Sequence, residues 1–95
     1  MNISKSDIVM SLAGRDAGKL FYVVSTEGQY ALLADGKHRR LEAPKRKKLK
    51  HIRFVSRSDS KVAKKLYAGD AVLNSELRRD LAVFGQTFDS QNQGG

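Results

Sequence analysis

Two glycines and a lysine form the stretch of this sequence that comes nearest to a ligand-binding loop. Gly14, Gly18 and Lys19 lie in the run LAGRDAGKLFYVV, residues 12–24. A P-loop has four residues between its glycines and a Ser or Thr after the lysine, whose hydroxyl holds Mg²⁺. Here three residues separate the glycines, and Leu20 follows the lysine. The next residues are β-branched and aromatic, which favours a strand over the phosphate-binding helix, so we expect no nucleotide site.

The other residue types that catalyse reactions or bind metals form no recognisable set. His38 and His51 lie among cations, and the chain has no Cys, so a zinc site is not expected. No pair of acids has a spacing suited to acid–base catalysis. Asp16 lies between Arg15 and Lys19, where a local ion pair would shape the loop. We expect a non-enzyme without a metal, a cofactor or a small-molecule substrate.

A run of basic residues is the strongest functional signal. The formal net charge is +8, and ten Lys or Arg residues lie between Lys37 and Arg57 with a single acid, Glu42. Surfaces that only keep a protein solvated usually mix both signs, so this run favours a polyanionic partner. The few aromatic residues mostly lie in apolar runs, where core packing is more common than base stacking.

Five short apolar or alternating runs predict the strands that would hold these residues. They are 7–13, 19–25, 30–34, 37–42 and 51–56. Asp35-Gly36 is typical of a type I′ turn and would pair the third run with the fourth. Residues 43–50, APKRKKLK, are expected to form an exposed loop anchored by Leu49. Like charges in such a loop oppose folding slightly. Changing Lys45, Arg46, Lys47 and Lys48 together to Ala is therefore expected to leave the melting midpoint unchanged or slightly raised. Five strands with tight turns predict a small, nearly closed barrel at residues 1–57.

Helical periodicity replaces the strand pattern after Arg57. Residues 58–69 predict one short helix, with Ser58 or Asp59 as its N-cap and Gly69 at its end. Residues 74–85 predict a second helix, with Asn74 as its cap and Gly85 as its C-cap. Neither is long enough to be stable alone, so both should pack on the barrel, on each other or on a partner. The polar segment 86–95 is predicted to be disordered.

Length and composition agree with one small globular domain. The chain has 95 residues, of which 40% are hydrophobic and 29% are charged. No apolar run is long enough to span a membrane, and the N-terminus lacks the pattern of a secretory signal. A cytoplasmic location is therefore expected.

Two motifs carry a resemblance to a known family. They are V-x-S-x-A-G-R-D-A-G-K at 9–19 and L-L-A-D-G-K-H-R-R-L at 32–41, within a matching stretch at 7–55. With them, the sequence resembles the small KOW-domain RNA-binding proteins related to eukaryotic-type large-subunit ribosomal proteins. The resemblance implies an SH3-like barrel whose glycine-bearing loop contacts rRNA or a protein.

By position, Gly14 and Gly18 correspond to the glycines of a KOW motif, and Lys19 to the basic residue after the second glycine. Leu20 and Phe21 stand where many KOW motifs have a further glycine. The two predicted helices lie outside the matching stretch, so the resemblance gives them no role.

The sequence therefore predicts a non-catalytic protein that binds structured RNA, with rRNA as the preferred partner, in association with the ribosome or translation. The alternative is an adaptor that docks on ribosomal or transcription machinery, and residues 58–85 are a possible protein contact. A membrane-surface or DNA-binding role is disfavoured because no basic amphipathic helix or groove-reading element is predicted. The residues expected to contact RNA are Arg15, Lys19, Lys37, Arg39, Arg40, Lys45, Arg46, Lys47, Lys48, Lys50 and Arg53.

Overall fold

A computed structural model describes the backbone of residues 2–93 and the side chains of residues 2–87. Its strands are β1 (Asp7–Ser11), β2 (Leu20–Glu27), β3 (Tyr30–Ala34), β4 (Lys45–Lys48) and β5 (Ile52–Arg57). A single 3₁₀ turn, Leu49–His51, joins β4 to β5, and the helices α1 (Lys61–Ala68) and α2 (Asn74–Gln93) follow. Among these residues, no helix combines the length and the apolar character that a membrane crossing requires.

The five strands form one antiparallel sheet in the order β4-β3-β2-β1-β5. The sheet is curled. The Lys47 Nζ atom of β4 lies 2.6 Å from the Ser11 Oγ atom of β1, although β1 is three strands away in the sheet order. The Leu12 amide also donates to the carbonyl oxygen of His51 at 2.9 Å. The predicted mainly β class is confirmed. The predicted barrel closure is not, because within residues 2–93 no strand pairing joins β4 to β5.

Each face of the sheet buries a separate hydrophobic cluster, because neighbouring side chains of a strand point to opposite faces. The inner cluster lies within the curl and comprises Val9, Phe21, Val23, Ala31, Leu33 and Ile52, with Leu49 packed against it. The outer cluster joins the sheet to both helices and comprises Ile8, Tyr22, Ala34, Val62, Ala63, Leu66, Leu77 and Leu81. The helices therefore pack on the sheet, and Leu49 anchors its segment as predicted.

The fourth strand lies elsewhere than predicted. Residues 37–42 form no strand, and β4 instead occupies the stretch expected to be a loop. The cause is the Asp35 carboxylate, whose Oδ1 atom accepts the amides of Lys37 at 2.9 Å and Arg39 at 2.8 Å. These bonds extend the turn beyond two residues, and pairing resumes only where Lys45 faces Leu33.

The helix ends agree with prediction only in part. Gly69 ends α1 in the left-handed conformation as expected, but the N-cap is Ser60, whose hydroxyl accepts the Ala63 amide at 3.1 Å. Asn74 does not cap α2, because its Oδ1 atom accepts the Leu41 amide at 2.8 Å. Gly85 does not end α2 either. The helix continues to Gln93, through most of the segment predicted to be disordered, whose last two residues lie outside the described part.

Candidate nucleic-acid interface

The loop between β1 and β2 (residues 12–19) takes its shape from its two glycines. Gly14 has a φ of 82° and Gly18 a φ of 85°, a left-handed conformation that favours glycine. A Cβ atom added at Gly18 would meet nothing within 4 Å, so backbone conformation rather than crowding requires this glycine. The Gly18 amide donates to the Ser11 carbonyl at 2.8 Å and closes the loop. The prediction that these glycines turn the chain is confirmed.

Lys47 fixes this loop to β4. Its Nζ atom donates to Ser11 Oγ, the Ala13 carbonyl oxygen and Asp16 Oδ1, each at 2.6 Å. A lysine ammonium has three N–H donors, so all of them are used inside the protein. The side chains of Lys47 and Asp16 are only 10% and 16% exposed. Lys47 is thus a structural link, and it is not available to a ligand without breaking these bonds.

Asp16 is held in its charged form by the same contacts. Burial opposes ionisation, but hydrogen bonds from Lys47 and Ser11 and the charge of Lys47 outweigh it and lower the pKa of the Asp16 carboxyl. The sequence predicted an ion pair with Arg15 or Lys19. The partner is instead Lys47, thirty-one residues away, while Arg15 and Lys19 are exposed.

The loop beside Lys47 forms one wall of a basic concavity of about 170 Å³, which we name the loop-end depression. Its lining residues come from the β1–β2 loop, the β3–β4 loop (residues 35–44) and β4. They are Gly14, Arg15, Asp16, Arg39, Lys45 and Lys47. The Asp16 charge is compensated by Lys47, so the charges of Arg15, Arg39 and Lys45 have no balancing acid in this lining. Such a site can neutralise phosphate groups.

The remaining predicted RNA contacts lie outside this depression. Strand alternation places Lys45 and Lys47 on the face of Ala31 and Leu33, and Arg46 and Lys48 on the opposite face. On that opposite face, the Arg46 guanidinium lies 3.7 Å from the centre of the Tyr30 ring. The aromatic residues as a group were expected to pack in the core, whereas Tyr30 is only partly buried. Strand alternation over residues 45–48 would have placed Arg46 on the same face of the sheet as Tyr30.

The other cations are spread over four places. Lys19 and Lys37 line a depression beside α2. Lys48 and Lys50 line a depression beside Gln29, at the turn between β2 and β3. The Arg40 side chain pairs with Glu42 at 3.2 Å on the exposed surface. The Arg53 guanidinium lies 3.9 Å from the sulfur of Met10. The eleven predicted residues therefore form several groups rather than one patch.

No metal centre is evident in the described part of the chain, where no three His, Cys, Asp or Glu side chains form a cluster able to hold an ion. Comparisons with models of protein families and with curated proteins found no match to this chain. The functional interpretation therefore depends on the geometry of the loop-end depression and on the distribution of charge around it.

Proposed function

We propose that this protein is a non-catalytic RNA-binding module of the cytoplasm whose contact surface is centred on the loop-end depression. The observation that carries the proposal is the convergence there of Arg15, Arg39 and Lys45 without a balancing acid. The resemblance to KOW proteins makes rRNA the preferred partner. With this resemblance, we interpret the curled sheet as an SH3-like barrel that is open between β4 and β5.

The preformed geometry favours structured RNA over a flexible single strand. Hydrogen bonds of Lys47 and Asp35 hold the two loops, so little conformational entropy is lost on binding. A single-strand platform needs free aromatic faces in a basic groove. Of the two partly or fully exposed tyrosines, Tyr30 is stacked against Arg46, and Tyr67 lies on α1, which contributes no residue to the loop-end depression. Recognition by shape and phosphate position is the mode that fits.

A salt titration of binding to labelled large-subunit ribosomal RNA tests the proposal. The site variant carries Arg15→Gln, Arg39→Gln and Lys45→Gln. The control variant carries Arg57→Gln, Lys61→Gln and Lys64→Gln, which remove the same charge from exposed positions at the end of β5 and on α1. Each phosphate contact adds roughly 0.7–0.9 to the slope of log K against log salt concentration, so the site variant should lose about 2–3 units. The control should keep nearly the wild-type slope.

Equal slopes for the two variants would contradict a contact surface at the loop-end depression. A wild-type protein without salt-dependent RNA binding would contradict the function itself. In that case, association with ribosomes that survives RNase treatment would favour the adaptor, in which the same domain docks on a protein.

A further inference from the structure

A second basic depression lies between the two loops and α2, a helix to which the KOW resemblance assigns no role. It has a volume of about 340 Å³, and we name it the helix-side depression. Its lining residues come from β2, both loops and α2. They are Lys19, Leu20, Asp35, Lys37, His38, Arg78, Leu81 and Ala82.

Arg78 is the charged residue that α2 contributes to this depression. One guanidinium nitrogen donates to the Gly36 carbonyl oxygen at 3.2 Å, which orients the side chain across the β3–β4 loop. A guanidinium has five N–H donors, so this bond leaves most of them for another acceptor. Arginine can offer two parallel N–H groups to a phosphate, a geometry that lysine lacks.

The charge of the lining is positive and only partly compensated. Lys19, Lys37 and Arg78 face a single acid, Asp35, whose Oδ1 atom already accepts two backbone amides. Among residues 2–87, the ion pairs present involve other cations. An anionic ligand is therefore the partner that this lining fits, and the apolar floor of Leu20, Leu81 and Ala82 suits a sugar rather than an ion alone.

The helix-side depression and the loop-end depression are lined by different residues of the same two loops. Lys19 ends the loop that holds Arg15, and Lys37 lies two residues before Arg39. A polymer of phosphates and sugars, unlike a single ion, has the length to contact both loops. We propose that Arg78, together with Lys19 and Lys37, binds the phosphodiester backbone of the same RNA, so that α2 is part of the binding surface. This inference rests on the proposed function.

Two matched pairs of variants test the role of α2, with labelled large-subunit ribosomal RNA as the probe. Arg78→Gln and Arg79→Gln remove the same charge from adjacent exposed positions of one helix, but only Arg78 lines the depression. Arg78→Gln should flatten the salt slope by roughly 0.7–0.9 and weaken binding about 3–10-fold at low salt. Arg79→Gln should change binding less than twofold, and Arg78→Lys should keep the slope because the charge remains.

The second pair leaves Arg78 itself unchanged, so it remains informative if Arg78→Gln destabilises the fold. Ala82→Glu puts a carboxylate at the lining, whereas Val83→Glu puts one at an exposed position outside it. Ala82→Glu should weaken binding at least fivefold more than Val83→Glu. Each variant is first checked for an unchanged melting midpoint.

Equal effects within both pairs would overturn the inference. If the site variant with Arg15→Gln, Arg39→Gln and Lys45→Gln still has a flatter salt slope than the wild type, the proposed function stands and only the role of α2 fails. If the wild-type protein shows no salt-dependent binding, both fail together. Arg78→Gln could instead weaken binding only to the ribosomal proteins that remain after RNase treatment of ribosomes. That result would assign the helix-side depression to a protein partner and would also overturn the inference.

Discussion

At the scale of single residues, charge type alone does not separate a binding cation from a structural one. Lys45, Arg46, Lys47 and Lys48 are consecutive, yet each has a different environment. Lys45 lines the loop-end depression, and Arg46 stacks on Tyr30. Lys47 uses its three N–H donors in hydrogen bonds inside the protein, and Lys48 lines the depression beside Gln29. The structure therefore changes the expectation for Lys47, whose removal should lower the stability of the fold.

Replacing Lys47 should destabilise the fold. Lys47→Met removes the ammonium and leaves the largely buried Asp16 carboxylate without its cationic partner. Because an uncompensated charge is costly when it is shielded from water, we expect a loss of about 2–3 kcal/mol in the free energy of unfolding. Urea denaturation measures it. Lys48→Met, at an exposed position of the same strand, is the control and should change stability by less than about 0.5 kcal/mol. Equal losses for the two variants would contradict the structural role of Lys47.

At the scale of elements, Gly36 shows how closely the β3–β4 loop approaches α2. An added Cβ atom would lie 2.1 Å from the Asn74 carbonyl oxygen and 3.0 Å from the Arg78 amide nitrogen. The residue also has a φ of 79°, which a side chain disfavours. The glycine is needed both for the turn and for the contact between loop and helix.

Gly36→Ala should therefore be more damaging than a substitution at a glycine with positive φ alone. The added methyl group meets backbone, which cannot move as a flexible side chain does, so we expect a loss of about 2–4 kcal/mol. Gly28 has a φ of 59° and open space around it, so Gly28→Ala should cost only about 1 kcal/mol. The melting midpoints of the two variants test this difference. Equal shifts would show that the β3–β4 loop can move away from α2.

The elements also show what the sequence could and could not predict. The apolar strands β1, β2, β3 and β5 and the face of α2 around Leu77 follow from local periodicity, which burial enforces. The strand β4 was missed because its register depends on the side chain of Asp35 and on pairing with β3. The Lys47–Asp16 pair and the Arg78–Gly36 bond join distant residues, so no local pattern indicates them.

At the scale of the whole molecule, one polar cluster joins the sheet to both helices. The hydroxyl of the buried Tyr22 in β2 donates to the Asp80 carboxylate of α2 and lies 2.9 Å from the Ser58 hydroxyl. Ser60, the N-cap of α1, donates to the same carboxylate at 3.0 Å. Burial and then the hydrogen bond to Asp80 raise the pKa of Tyr22 to about 12. This cluster therefore favours the neutral phenol in the folded state.

The raised pKa predicts a loss of stability in alkali that Tyr22 itself causes. Because the folded-state value lies above the unfolded value near 10, the contribution is complete below about pH 10 and is lost as pH rises towards 12. The wild-type protein should therefore lose up to roughly 2–3 kcal/mol more than Tyr22→Phe over this interval. Urea denaturation at a series of pH values measures the difference. Tyr67→Phe, at a side chain 67% exposed on α1, should follow the wild-type profile, which excludes a general effect of removing a phenol. Parallel profiles of unfolding free energy against pH for wild type and Tyr22→Phe would mean that ionising the phenol beside Asp80 carries no cost. Such a result would contradict a cluster that links the sheet to both helices through a neutral Tyr22.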